Sequence, residues 1–294
     1  MKKRRHTSRS SYRRKNSSPM KMLAIIAIPV VVITLAVFTM QHVMGIEKPD
    51  ADYCYDRGVS QHKTAIFIDN SLAQLSDVHM RDYRAAFERM YEASPANSQL
   101  LFYTTAKDKN GSLVKPFFRM CKPAATPVEQ ASIHAPEKPA PYLKRQAEEA
   151  YVRYQQAVTD TLREVQDKSQ RAGDSPILEQ IRAISRAPEF QGETRSLTII
   201  TDGLNNSQTA RFCVVKGDMP SFATFAKRAD YNLAIKPRGF AGTDVSLLLV
   251  EAYALPSSTM PYCSNQELRT WWVNYLEANH ANVELTLLRY WAGQ

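Results

Sequence analysis

The chain has 294 residues, of which 44% are hydrophobic and 23% charged, so it can bury one sizeable core and is short for two. Its formal charge is +9, but nine of its 38 Lys and Arg residues lie in the first 21 residues, which hold no Asp or Glu. The rest of the chain balances 29 cationic against 29 acidic side chains. The net charge therefore describes a tail, and it excludes a strongly basic nucleic-acid-binding body.

An uncharged apolar segment follows the basic tail. Residues 22–43, MLAIIAIPVVVITLAVFTMQHV, approach the roughly 20 residues that a membrane-spanning helix needs. We predict a retained signal anchor over 22–44 rather than a cleaved signal peptide, because the apolar core exceeds the usual ~7–15 residues and lacks a small-residue cleavage site. The cationic tail, residues 1–21, predicts a cytoplasmic N-terminus. The remainder would then lie outside the plasma or inner membrane, in a periplasmic or extracellular space.

All four cysteines follow this predicted span. They are Cys54, Cys121, Cys213 and Cys263. The predicted compartment is oxidising, which favours disulfides. The sequence contains no Cys-x-x-Cys pair, which argues against zinc binding or thiol exchange, and four cysteines leave three connectivities open.

The segment after the span begins with a polar, turn-rich linker and continues as one predicted folded domain. The linker covers residues 45–63 and the domain residues 64–294. Short β-branched runs predict strands and a 3.6-residue apolar period predicts helices. The first predicted elements are a strand over 64–68, a helix over 80–93 and strands over 100–105 and 113–120. The turn between the last two strands predicts an antiparallel hairpin.

A proline-rich stretch separates these elements from the rest. Residues 121–142 contain five prolines and are predicted to be a surface excursion without regular structure. The elements predicted after it are helices over 143–171, 177–184, 220–229 and 266–281, and strands over 197–201, 245–255 and 283–291. Because strands alternate with helices, the predicted fold is α/β, with a Rossmann-like, mostly parallel six-stranded sheet covered by helices on both faces.

Two aspartates stand where buried strands are predicted to end. Asp69 follows the run TAIFI, and Asp202 follows LTIIT. Both side chains are therefore expected at the C-terminal edge of the sheet, where ligands of parallel α/β folds bind. Together with Ser71 they form an all-oxygen set, which suits a hard divalent cation such as Mg²⁺.

The order of the elements and three short motifs resemble the von Willebrand factor type A domain. The motifs are an Asp-x-Ser turn at Asp69 and Ser71, a Gly-x-Ser-Pro turn containing Ser175, and Thr-Asp-Gly containing Asp202. The resemblance covers residues 63–290, nearly the whole predicted domain. Its specificity rests on the order of the motifs, since each of them is short.

The resemblance implies a metal-ion-dependent adhesion site. Its ligands would be Asp69, Ser71, Ser175 and Asp202, with Asp174 as the alternative to Ser175. Ala73 stands where the family has a second serine, which should weaken the site. The implied cation is Mg²⁺, with Mn²⁺ or Ca²⁺ as alternatives. An acidic side chain of a protein partner at the C-terminal edge of the sheet would complete its coordination.

The resemblance also implies a disulfide pairing. In the type A fold the third strand is an antiparallel edge, which places Cys121 at the end of the sheet where Cys54 enters the first strand. Cys213 and Cys263 both follow strands that leave at the opposite end. The implied bridges are therefore Cys54 with Cys121 and Cys213 with Cys263.

No catalytic motif is present in the sequence. The serine-hydrolase elbow, the phosphate-binding loop, the dinucleotide-binding glycine pattern and the zinc-protease helix motif are all missing. We therefore expect a non-enzymatic, membrane-anchored module that mediates protein binding in the cell envelope, with no nucleic-acid partner. One alternative is a metal-dependent phosphoester hydrolase that uses Asp69 and Asp202. The other is a metal-free structural subunit of an envelope complex. The sequence does not determine the oligomeric state.

Overall fold

The computed structural model describes residues 49–55, 61–70, 77–105, 115–168, 175–213, 219–251 and 263–288. The predicted cytoplasmic tail, the predicted signal anchor, most of the linker, and Ser71, Ala73 and Asp174 lie outside these ranges. Within them, no helix combines the length and the apolar character that crossing a bilayer requires.

Six strands form one sheet. They are β1 (Lys63–Ile68), β2 (Gln99–Thr104), β3 (Phe118–Cys121), β4 (Arg195–Thr201), β5 (Asp244–Val250) and β6 (Asn282–Leu288). Their spatial order is β3-β2-β1-β4-β5-β6, and β3 alone runs antiparallel to its neighbour. The prediction of an α/β fold with a mostly parallel six-stranded sheet is confirmed. We call the edge where the parallel strands end the C-terminal edge, and the edge where they begin the N-terminal edge.

Helices cover both faces of the sheet. They are α1 (Asp77–Ala93), α2 (Pro127–Ser132), α3 (Ala140–Lys168), α4 (Ile177–Ile184), α5 (Phe222–Phe225) and α6 (Asn265–Glu277). Successive side chains of a strand point to opposite faces, so β1 contributes to two cores. Phe67 packs in the core that contains Ile181 of α4 and Trp272 of α6. Ile66 packs in the core that α1 and α3 cover. This double burial explains why β1 is an uninterrupted apolar run.

The prediction of an excursion without regular structure over residues 121–142 was wrong. The structure places α2 inside it and begins α3 at Ala140. Thr126 caps α2 by accepting a hydrogen bond from the backbone N–H of Glu129, and Pro127 takes the first helical position. A hydroxyl cap followed by proline favours the start of a helix, so these prolines are compatible with helical structure at this place.

Two further predictions need shorter bounds. In the described part of the predicted strand over 113–120, residues 115–120, the strand begins at Phe118, since Pro116 has no N–H group to donate to a ladder. The predicted helix over 220–229 is reduced to α5, and a π-helical turn over Tyr231–Ile235 follows it. The remaining elements lie within a few residues of their predicted bounds, as far as the described residues extend.

Both disulfide bonds have the pairing that the resemblance implied. Cys54 is bonded to Cys121, with 4.9 Å between their Cα atoms, and Cys213 to Cys263, with 5.2 Å. Cys121 pairs with the first residue of β2, so the first bridge lies at the N-terminal edge. The loop that contains Cys213 is hydrogen bonded to Asn205, three residues after Asp202, which places the second bridge near the C-terminal edge.

Candidate functional site

The candidate site lies where the direction of the strand order reverses. From β1 the chain continues to β2 on one side, whereas β4 continues to β5 on the other. Ligands of open α/β sheets bind beside the carboxyl ends of the strands at such a point. Asp69 directly follows β1, and its backbone N–H donates to the carbonyl of Ile200 in β4 at 2.9 Å. Asp202 directly follows β4, so both predicted aspartates stand at the reversal point.

The Asp69 carboxylate is held by two hydroxyl groups from other segments. Its side chain is fully buried. The Ser175 hydroxyl lies 3.2 Å from each carboxylate oxygen, and the Thr201 hydroxyl donates to Oδ2 at 2.9 Å. Ser175 is fixed by a reciprocal pair of backbone hydrogen bonds with Asn206, of 2.7 and 2.8 Å. Three segments thus converge on one carboxylate, and the structure brings together the predicted Asp69 and Ser175.

Asp202 is buried beside a like charge. Only 6% of the residue is exposed, and its Oδ1 accepts a hydrogen bond from the backbone N–H of Leu204 at 2.9 Å. Burial raises the pKa of Asp202 from 3.8 to about 7, with a further contribution from the charge of Asp69, and the backbone donors oppose this rise. The two carboxyl groups therefore lie within electrostatic reach of each other, in an environment where two negative charges are unfavourable.

Three polar groups around these carboxylates were not predicted from the sequence as parts of the site: Thr201, Asn70 and Tyr83. Tyr83 of α1 is fully buried, and burial together with the charges of Asp202 and Asp69 raises its pKa well above the usual value. Within the described residues, the Tyr83 hydroxyl and Oδ1 of Asn70 have no hydrogen-bond partner. Thr201 could have been noticed as a hydroxyl directly before Asp202. Tyr83 instead belongs to the apolar stripe of α1, so the sequence pattern gives no sign that its hydroxyl lies near the two aspartates.

The loop after Asp202 is seated directly on α6. Gly203 has a φ of +78°, a conformation that favours glycine. A Cβ atom at this position would lie 2.7 Å from Nε1 of Trp272, the same atom that donates to the Gly203 carbonyl at 3.0 Å. Farther along, Oδ1 of Asn205 accepts the N–H of Leu178 in the first turn of α4 at 2.9 Å. These contacts fix the loop that carries Asp202.

The donor atoms around the two aspartates are all oxygens, from carboxylates, hydroxyls and an amide carbonyl. This set suits Mg²⁺, Mn²⁺ or Ca²⁺ better than zinc or copper. Across the described ranges, no three His, Cys, Asp or Glu side chains gather as a group that could hold a metal ion. A cation at this place would therefore depend on hydroxyl groups and water in addition to Asp69 and Asp202.

Comparisons with known proteins add no family to this description. A scan against models of protein families matches none of them. A search of curated protein sequences likewise finds no match. The geometry of the site and the order of the elements are thus the basis for a functional proposal.

Proposed function

We propose that this chain is a membrane-anchored binding module of the von Willebrand factor type A kind, which binds a protein partner at the C-terminal edge of its sheet. A divalent cation, Mg²⁺ in the first place, would take part in the contact. One observation carries the proposal. The buried residues Asp69 and Asp202 directly follow the neighbouring strands β1 and β4 at the reversal point of the strand order, and burial together with the charge of Asp69 raises the pKa of Asp202 to about 7. A cation would neutralise this pair.

The architecture supports the proposed family. Type A domains have an antiparallel third strand at the edge of a parallel sheet, and β3 of this chain occupies such a position. The pairing of all four cysteines also follows the expectation from that fold. Disulfides persist in oxidising compartments, which supports the predicted export of the domain and, with it, the predicted anchor over residues 22–44.

Asp69, Ser71, Ser175 and Asp202 would hold the cation. When bound, the ion would supply an open coordination position for an acidic side chain of the partner. The chain's own residues prepare this contact. Ser175 and Thr201 orient the Asp69 carboxylate, and the N–H of Leu204 orients Asp202. The contact between Trp272 and Gly203 keeps the loop at the C-terminal edge in one conformation, which reduces the entropy that partner binding must overcome.

Calorimetric titration of the full chain in nonionic detergent with Mg²⁺ and Mn²⁺ tests the proposal. We expect binding heat for the wild type and at least about tenfold weaker binding for Asp202→Asn, because the substitution removes one of two anionic ligands. Asp244→Asn is the matched control, since Asp244 is an exposed carboxylate at the N-terminal edge. If the wild type gives no binding heat, or if Asp202→Asn gives the same binding heat as the wild type, the proposed cation site is contradicted.

The same preparations separate the two alternatives. If the wild type hydrolyses a generic phosphoester and Asp69→Asn does not, the protein is a metal-dependent hydrolase and not a binding module. Capture of a protein partner that withstands a chelator and the Asp202→Asn substitution would instead favour a metal-free structural subunit. Capture that requires the cation and both aspartates is the result that we expect.

A further inference from the structure

Four arginines gather at the N-terminal edge, opposite the aspartates. Arg182 lies in the last turn of α4, and Arg186 follows the end of that helix. Arg195 is the first residue of β4, and Arg238 lies in the segment between the π-helical turn and β5. We call these four residues the arginine cluster. The proposed cation site does not include any of them.

Specific contacts hold the segments of the arginine cluster together. The backbone N–H of Arg238 donates to the Ser185 hydroxyl at 2.9 Å, which fixes Arg238 beside the end of α4. Nη2 of Arg195 donates to the carbonyl of Ala241 at 3.4 Å. Its Nη1 lies 3.5 Å from the place that a Cβ on Gly239 would occupy, directly beside Arg238. These contacts fix the backbone of Arg238 and the guanidinium of Arg195 at the same edge of the sheet.

The arginine cluster lies at an edge that also carries the exposed carboxylate of Asp244, whose strand partner Ser196 is next to Arg195. Among the described residues, none of its four members takes part in a salt bridge. Burial lowers the pKa of Arg182, and the charges of Arg186 and Arg238 lower it further, while Tyr275 opposes this change. The buried Nε of Arg182 thus lacks a hydrogen-bond partner within the described part of the chain and lies within reach of the like charges of Arg186 and Arg238.

The dipole of α4 explains only part of this arrangement. Cations near the C-terminus of a helix are stabilised by its dipole, and the effect is confined to the last turn. Arg182 meets that condition, whereas Arg186 lies beyond the end of α4. Arg195 and Arg238 belong to other segments, and the one carbonyl that Arg195 contacts, that of Ala241, is outside α4. The helix dipole therefore does not explain three of the four arginines.

We propose that the arginine cluster is a binding site for a phosphate group, supplied either by free phosphate or by the headgroup of an anionic phospholipid. The planar guanidinium groups can donate paired hydrogen bonds to phosphate oxygens, which is why arginine is favoured at such sites. Arg186 and Arg238 are exposed and can reach the ligand from solvent. Arg182 and Arg195 are half-buried and form the back of the site.

Calorimetry on the full chain in nonionic detergent tests this site with three probes: inorganic phosphate, dihexanoyl phosphatidylglycerol and dihexanoyl phosphatidylcholine. The test variant carries Arg186→Gln with Arg238→Gln, which leaves the backbone hydrogen bond of Arg238 in place. The matched control carries Arg84→Gln with Arg89→Gln, two exposed arginines of α1. The basic tail is the same in all three proteins, so its own attraction for anions cancels in the comparison.

We expect the wild type and the control to bind a phosphate-bearing probe, and the test variant to bind it at least about tenfold more weakly, because charge-assisted hydrogen bonds are lost. Binding of inorganic phosphate would identify a free anion as the ligand. Binding of phosphatidylglycerol without binding of inorganic phosphate or phosphatidylcholine would identify an anionic headgroup. Absence of binding to both anionic probes, or equal affinity of the test variant and the wild type, would overturn the proposal.

Discussion

The two edges of the sheet carry opposite charges in different environments. At the C-terminal edge, Asp69 and Asp202 are both buried, and burial together with the charge of Asp69 raises the pKa of Asp202 to about 7. At the N-terminal edge, the arginine cluster is exposed or half-buried, and arginine stays protonated at any physiological pH. The acidic pair can therefore relieve its repulsion by binding a proton. The arginines can do so only through an anion or through salt, so the two edges should respond to different variables.

The largest expected effect is the loss of a disulfide bond. Each bridge links residues 50 or 67 positions apart, so in the chain-entropy model each contributes about 4 kcal/mol to the free energy of unfolding. Cys213→Ala with Cys263→Ala, and Cys54→Ala with Cys121→Ala, should lower this free energy by similar amounts. Denaturant unfolding followed by tryptophan fluorescence measures both.

The two pairs of substitutions should differ in what else they change. Removing the bridge near the C-terminal edge should also weaken cation binding, because it loosens the segments beside Asp202. Removing Cys54 and Cys121 should leave cation binding intact. Equal losses of cation affinity in both variants would show that the edges are not independent.

The next effect is a pH dependence that belongs to the C-terminal edge alone. The folded-state pKa of Asp202 is raised from 3.8 to about 7, so the folded protein keeps a proton that the unfolded chain releases. The contribution of Asp202 to the free energy of unfolding is therefore fully present below about pH 4 and is lost as the pH rises through 7. In a chelator, Asp202→Asn should match the wild type near pH 4. It should exceed the wild type by roughly 2 to 4 kcal/mol at pH 8, as urea unfolding at each pH would measure.

Two controls test whether the stability gain of Asp202→Asn at pH 8 comes from the buried acidic pair. Asp244→Asn, at the other edge, should show no such gain at pH 8. Saturating Mg²⁺ should reduce the advantage of Asp202→Asn, because the cation neutralises the ionised pair in the wild type only. A variant that is less stable than the wild type at pH 8 would contradict the proposed repulsion, since asparagine retains the oxygen that accepts from Leu204.

Substituting one glycine at each edge of the sheet allows the packing of the two edges to be compared. Gly203 and Gly242 both have positive φ, of 78° and 71°. A Cβ atom on Gly203 would collide with Trp272, whereas one on Gly242 would meet nothing within 4 Å. We expect Gly203→Ala to lower the free energy of unfolding by about 2 to 3 kcal/mol, from steric overlap as well as backbone strain. Gly242→Ala should lower it by only about 1 kcal/mol, and thermal unfolding at fixed pH would rank them. Equal losses would mean that the contact with Trp272 adds nothing.

The sequence predicted the C-terminal edge better than the N-terminal edge for a physical reason. Asp69 and Asp202 are placed by their strands, because the end of a buried apolar run is visible along the chain. The arginine cluster is assembled from residues spread between positions 182 and 238, and Arg238 reaches the end of α4 only through the tertiary hydrogen bond of its backbone N–H to Ser185. Tyr83 shows the same limit, since its position in α1 was predicted while the neighbours of its hydroxyl depend on how α1 packs.

The errors in the fold have a related cause. Apart from β3, the strands and long helices have a period that extends over many residues, and within the described residues they were predicted nearly in full. The short helix α2 depends on one hydroxyl cap at Thr126 and one proline at the first position, a signal of two residues inside a segment whose overall composition indicates a loop. The π-helical turn over Tyr231–Ile235 is fixed by tertiary contacts, such as the hydrogen bond from the Tyr275 hydroxyl to the Ile235 carbonyl.

The smallest expected effect tests the charge of the N-terminal edge without a ligand. Arg186→Gln should raise the free energy of unfolding by less than about 1 kcal/mol at low ionic strength, because it removes a like charge beside Arg182. The gain should fade between 0.05 and 0.5 M NaCl, since salt screens exposed charges, and it should not change between pH 5 and 8. Arg89→Gln, an exposed arginine of α1, is the control and should give no gain. Asp202→Asn should show the opposite pattern, with a strong dependence on pH and a weak one on salt, because its charge is buried. If both variants responded to the same variable, the burial of the charge would not be what distinguishes the two edges.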